Sequence, residues 1–106
     1  MTRYIPIMSD VQLVVAQHFG LTVDDLLGQE RYKTTAYARH IVSFLAREQL
    51  GMSYPEIARV SRRDHTSVLS GVRKIWRLVA DGDRATTNHL HALLARLDVG
   101  SMRRAA

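Results

Sequence analysis

Apolar positions recur at three- and four-residue intervals along the whole chain, and no segment alternates with the period of a strand. That pattern predicts helices. Val11, Val14, Val15 and His18 or Phe19 form the buried stripe of a first helix, which Ser9 is placed to cap and Gly20 to end. Thr22 caps a short turn from Val23 to Leu27, with Asp24 and Asp25 at its electropositive start and Gly28 after it. A polar, basic loop runs from Gln29 to Thr35. A longer helix follows, from about Ala36 to Leu50, with Tyr37, Ile41, Phe44 and Leu45 on one face and Gly51 as the residue past its end.

In the second half, Ser53-Tyr54-Pro55-Glu56 has the form of a capping box, in which Ser and Glu satisfy free N–H groups reciprocally. It opens a short helix, Tyr54 to Val60, that buries Ile57 and Ala58. Ser61-Arg62-Arg63 makes a tight turn. Asp64 caps a long helix whose stripe is Val68, Leu69, Val72, Ile75, Trp76 and Val79; in that register Trp76 is a core residue. Asp81-Gly82-Asp83 breaks the chain before a last helix, about Ala85 to Leu97. Its leucines, Leu90, Leu93, Leu94 and Leu97, read as core, with a partner groove as the alternative. The fold class is all-α: a compact helical domain of about six helices over residues 9–98, a leader over 1–8 and a flexible tail over 99–106.

A length of 106 residues suits one domain, and 46% apolar residues suffice for a core. The chain has no cysteine, which excludes disulfides and thiolate metal sites. No apolar run approaches the ~20 residues of a membrane span. The formal net charge of +5 sharpens the picture through its placement. Between Arg31 and Arg77 lie Arg31, Lys33, Arg39, Arg47, Arg59, Arg62, Arg63, Arg73, Lys74 and Arg77, against only Glu48, Glu56 and Asp64. A surplus concentrated in mid-chain reads as a footprint for an anionic polymer.

A short capped helix, a tight turn and a longer amphipathic helix make a helix-turn-helix pattern, whose second helix enters the major groove N-terminus first. Here that end is Arg63-Asp64-His65-Thr66-Ser67. These side chains are short and polar, and able to bond base edges; the Thr methyl can also touch a thymine methyl.

At these residues the chain resembles the C-terminal domain of DnaA, the bacterial replication initiator. The resemblance rests on Arg63-Asp64-His65-Thr66-Ser67-Val68-Leu69 with Val72-Arg73-Lys74-Ile75, on Ser53-Tyr54-Pro55-Glu56-Ile57, on Ala38-Arg39-His40 and Ala46-Arg47-Glu48, and on Val15 to Leu21. It implies a Trp-repressor-like helical fold and recognition, in double-stranded DNA, of a short box resembling TTATCCACA. It assigns base contacts to Asp64, His65, Thr66 and Ser67, and a minor-groove contact to Arg31. Arg39, His40 and Pro55 match positions beside the DNA backbone; apart from the resemblance, the mid-chain charge adds Lys33, Arg62, Arg63 and Arg73 as phosphate contacts. Where the family has one or two glycines in the turn, this chain has Val60-Ser61-Arg62 and is one residue shorter; Ser70-Gly71 replaces a family His-Ala pair.

The resemblance further implies regulation of replication initiation or transcription by a monomeric, cytoplasmic, nucleoid-associated bacterial protein, with the full-length initiator or other replication proteins as further partners. A protein-interaction module that binds the initiator or its regulators is the competing reading. No Gly-x-x-x-x-Gly-Lys-Ser/Thr occurs, and Met1 with its short leader suits a free-standing relative. No enzymatic activity, cofactor or metal is expected. Asp64, His65 and Ser67 splay around a helix instead of converging as a triad, and His89 and His91, two apart on a helix, point to different sides.

Overall fold

The computed structural model describes the backbone of residues 7–105 and the side chains of residues 7–98. Among these are six helices and no strand: α1 (Met8–His18), α2 (Val23–Leu27), α3 (Lys33–Leu50), α4 (Tyr54–Ser61), α5 (His65–Ala80) and α6 (Arg84–Ala105). The tail expected over 99–106 lies outside the described side chains, and most of the leader lies outside the described residues.

Helix α3 is the axis of the domain. It packs on α1 and α5, α4 leans on both α3 and α5, and α6 closes the core against α1 and α5. Val11 and Val15 of α1, Ile41 and Leu45 of α3, Ile57 of α4, Val72 and Ile75 of α5 and Leu93 of α6 are all but fully buried together. Burial of such side chains stabilises by about 1.5–3 kcal/mol each. The last helix therefore spends Leu90, Leu93 and Leu97 on this core.

The helix ends follow local chemistry. Thr22 and Ser53 each accept the N–H of the residue three on (Asp25 at 3.0 Å, Glu56 at 3.2 Å), and those carboxylates accept the cap N–H in return. Asp83 starts α6 by accepting the Thr86 N–H at 3.0 Å. Helix α1 differs from expectation: Ile7 is its cap and Ser9 lies inside it, because the Asp10 carboxylate accepts the Ile7 N–H at 2.9 Å. Helix α3 begins three residues early, at Lys33, since Thr35 is buried there; tertiary burial outweighs the modest helix preference of Thr34 and Thr35.

Trp76 is a correction. It is 47% exposed, stacked edge-on against Phe44 at 5.0 Å, with its indole N–H donating to Glu48 Oε1 at 3.0 Å. Val68, Val72 and Ile75 already define the inward face of α5, and one further 100° step carries residue 76 to its flank.

Candidate nucleic-acid interface

The turn between α4 and α5 sets the geometry of the site. Arg62 takes a left-handed conformation, φ 57° and ψ 41°. The Arg62 N–H donates to Arg59 O at 3.4 Å and the Arg63 N–H to Ala58 O at 3.0 Å, which is a Schellman ending made without glycine. The chain reverses there, and Asp64 at once caps α5 by accepting the Ser67 N–H at 2.7 Å. That hydrogen bond holds the Asp64 carboxyl below the usual carboxylate range. One turn thus projects Asp64, His65, Thr66 and Ser67, all exposed, from the front of the domain. Free N–H groups and the positive end of the helix dipole accompany them.

Facing this end is the N-terminal half of α3 with the loop before it. Between them runs an open cleft of about 510 Å³, with Gln29, Arg31 and His40 on one side and Arg62, Asp64 and Ser67 on the other. A shallower extension passes His40 to Thr66 and Ser70. Arg31 and the first turn of α5, some thirty residues apart in sequence, therefore line one cleft. Lys33 opens α3 on the face that leads to Ala36 and His40, and Arg73 continues the face of Thr66 and Ser70 along α5.

Arg31, Lys33, Arg62 and Arg73 are exposed, and none of their side chains makes a hydrogen bond or ion pair among the described residues. Arg39 is different. Its guanidinium donates to the carbonyl oxygens of Leu26 (2.9 Å), Asp25 (2.8 Å), Gly28 (2.8 Å) and Glu30. Arg63 donates to the Leu26 carbonyl at 3.3 Å and to that of Gly28. His40 is half-buried beneath α5; burial, then Lys74 and Arg39, push its imidazole below the ordinary value, toward the neutral form. Gly71 is the reason it fits, since a Cβ there would stand 2.5 Å from His40 Nδ1. Pro55 is exposed in the first turn of α4.

Residues the sequence reading passed over also border the site. Tyr54 lies 6.1 Å from the His65 ring, and the Arg47 guanidinium sits over Tyr54 at 4.5 Å. Gln29 and Ser70 line the cleft. The Ser53-Tyr54-Pro55 motif was a cue for Tyr54; Gln29 and Ser70 carry no local signal. Away from the cleft, His18 Nε2 and His89 Nδ1 are 2.8 Å apart, within a cluster that includes Phe19 and Tyr37. Among the described residues no group of three His, Cys, Asp or Glu could hold a metal ion, and no helix is long and apolar enough to cross a membrane.

Comparison with known proteins gives one family. The bacterial DnaA protein helix-turn-helix family matches residues 8–75. The chromosomal replication initiator protein DnaA of Bartonella quintana is 40% identical over 91 residues, 85% of this chain and 18% of that protein. That of Xanthobacter autotrophicus is 41% identical over 87 residues, 81% and 17% respectively. That of Cereibacter sphaeroides is 38% identical over 74 residues, 69% and 16%. The chain spans less than a fifth of the length of these relatives.

Proposed function

The chain belongs to the bacterial DnaA helix-turn-helix family, and from that premise we propose that it binds double-stranded DNA sequence-specifically at boxes resembling TTATCCACA, regulating replication initiation or transcription without ATPase activity. The observation that carries this is the shared cleft, which sets the exposed polar start of α5 beside the Arg31 loop. A duplex presents its major groove and the adjacent minor groove side by side, and the two walls suit them.

In this reading α5 enters the major groove at His65. Asp64, His65, Thr66 and Ser67 face base edges, where a good contact is worth about 1–3 kcal/mol of discrimination. Arg31 enters the narrow, electronegative minor groove of the A·T-rich end. Lys33, Arg62 and Arg73 neutralise phosphates and hold the register. His40 and Pro55 pack beside the backbone, and Arg39 supports the loop through its carbonyls. The domain acts as a monomer in the bacterial cytoplasm, at the nucleoid, and occupies boxes that the full-length initiator or other replication proteins also use.

A protein-interaction module keeps one supporting feature, the half-exposed Trp76 beside Phe44. The test is titration of a box duplex and a scrambled duplex of equal composition at fixed salt. The proposal expects the box to bind at least tenfold more tightly. Equal binding to both contradicts box recognition, and binding to neither favours the interaction module.

A further inference from the structure

Helix α2 is five residues long and ends without a left-handed residue: Gly28 is extended, at φ −76° and ψ −176°. Its last carbonyls are therefore not closed by the backbone bonds that end α1, α4 and α5. Two arginines take their place. Arg39, from the middle of α3, covers Asp25, Leu26, Gly28 and Glu30. Arg63 reaches the Leu26 and Gly28 carbonyls from the turn before α5, so each of these oxygens accepts from both guanidinium groups. Hydrogen bonds with an ionised donor are roughly twice as strong as neutral ones. They also hold the two cations close: burial first, and then the charge of Arg63, push the Arg39 guanidinium pKa down. That juxtaposition costs energy on a surface with ample solvent, and the bridge offsets it.

The bridge links two separate parts of the interface. Arg63 is the residue before the Asp64 cap, and its own N–H is fixed to Ala58. Gly28 is three residues before Arg31. We propose that Arg63 is a positioning residue rather than a phosphate contact: its guanidinium fixes the Arg31 loop relative to the first turn of α5, so that minor-groove and major-groove reading act as one unit. This rests on the DNA-binding reading above. A rigid bridge lets the two contacts form at once without ordering the loop on binding. Without it, Arg31 contributes to binding only after that ordering cost.

The experiment is a double-mutant cycle on the intact chain, with Arg31→Ala and Arg63→Ala measured on the box duplex, and salt slopes measured on random duplex. Wild-type preference for the box is the first requirement; its absence overturns the underlying reading, and this one with it. Given that preference, Arg63→Ala should cost most of the affinity that Arg31→Ala costs, yet add less than twofold when Arg31 is already alanine. Its salt slope should equal that of wild type, whereas Arg62→Ala should reduce the slope by about 0.9. Arg63→Lys keeps the charge on a shorter side chain, which places its nitrogen short of the Leu26 and Gly28 carbonyls that Arg63 Nη2 reaches; it should behave as Arg63→Ala, and it covers the case in which the alanine variant folds poorly. Losses that multiply independently, a slope reduced by about 0.9 in Arg63→Ala, or wild-type box affinity in Arg63→Lys would each overturn the proposal.

Discussion

Arg62 occupies a backbone conformation that three other turns of this protein give to glycine. Gly20, Gly51 and Gly82 have φ of 69°, 66° and 77°; Arg62, at 57°, is the one non-glycine residue with positive φ among those described. A side chain in that region costs about 1–2 kcal/mol. Glycine would remove that strain but give the unfolded chain about 0.4–1 kcal/mol of extra entropy. The Arg62→Gly variant should therefore gain about 0.5–1 kcal/mol, which raises the melting temperature of a domain this size by about 3–6 °C. Arg62 is exposed, and its side chain makes no hydrogen bond or ion pair among the described residues that would be lost. Its proposed role is a phosphate contact, so the same variant should bind DNA more weakly at low salt. The control is Arg62→Ala, which loses the charge and keeps the strained backbone. Thermal melts by circular dichroism should rank Arg62→Gly above wild type and Arg62→Ala at or below it, while both variants lose the same affinity. If Arg62→Gly melts no higher than Arg62→Ala, the strain argument is wrong.

Other substitutions probe the packing under the cleft and its chemistry. Gly71→Ala brings a Cβ against the His40 ring; a cost of about 1–3 kcal/mol for overpacking should outweigh the ~1 kcal/mol gain in helix preference. In urea titrations it should destabilise the wild type yet stabilise a His40→Ala background. Because His40 is held toward its neutral form, the unfolded chain binds more protons near pH 6, and stability present above the ordinary value of 6.5 should fall as pH drops below it. His18, lowered by burial and by His89 and Arg96, acts in the same direction. Melts between about pH 8 and pH 5 should thus show a smaller decline in His40→Gln, and an unchanged decline would remove His40 from the account. His65→Ala and Thr66→Ala, at exposed positions, should melt within about 0.5 kcal/mol of wild type yet lose box preference while still binding random duplex; a variant with full preference does not read sequence at that position.

Much of this was legible before any coordinates. Thr22, Ser53, Asp64 and the glycines after α1 and α3 mark their boundaries by local hydrogen bonding and φ preference, which depend on near neighbours alone. Ile41, Phe44 and Leu45 of α3, Val68, Val72 and Ile75 of α5 and Leu90, Leu93 and Leu97 of α6 follow from helical period. What stayed hidden needed knowledge of the third dimension. Trp76 sits one step beyond the face that α3 covers. Thr35 is drawn into a helix by its burial. Gly71 is required by a histidine 31 residues away in sequence. The carbonyls that hold Arg39 and Arg63 belong to a helix too short to show its unclosed end in the sequence pattern. Arg31 and Ser67 share a cleft only because α3 crosses beneath α5.

The central claim is that this surface binds duplex DNA through its exposed cations, and salt dependence tests it most directly. Association with a box duplex is measured by fluorescence anisotropy across a range of monovalent salt. With Arg31, Lys33, Arg62 and Arg73 each displacing counterions, and Arg39 and Arg63 held by carbonyls, log K against log salt should fall with a slope of about −3.6. A slope near zero, or no association at low salt, would contradict the account.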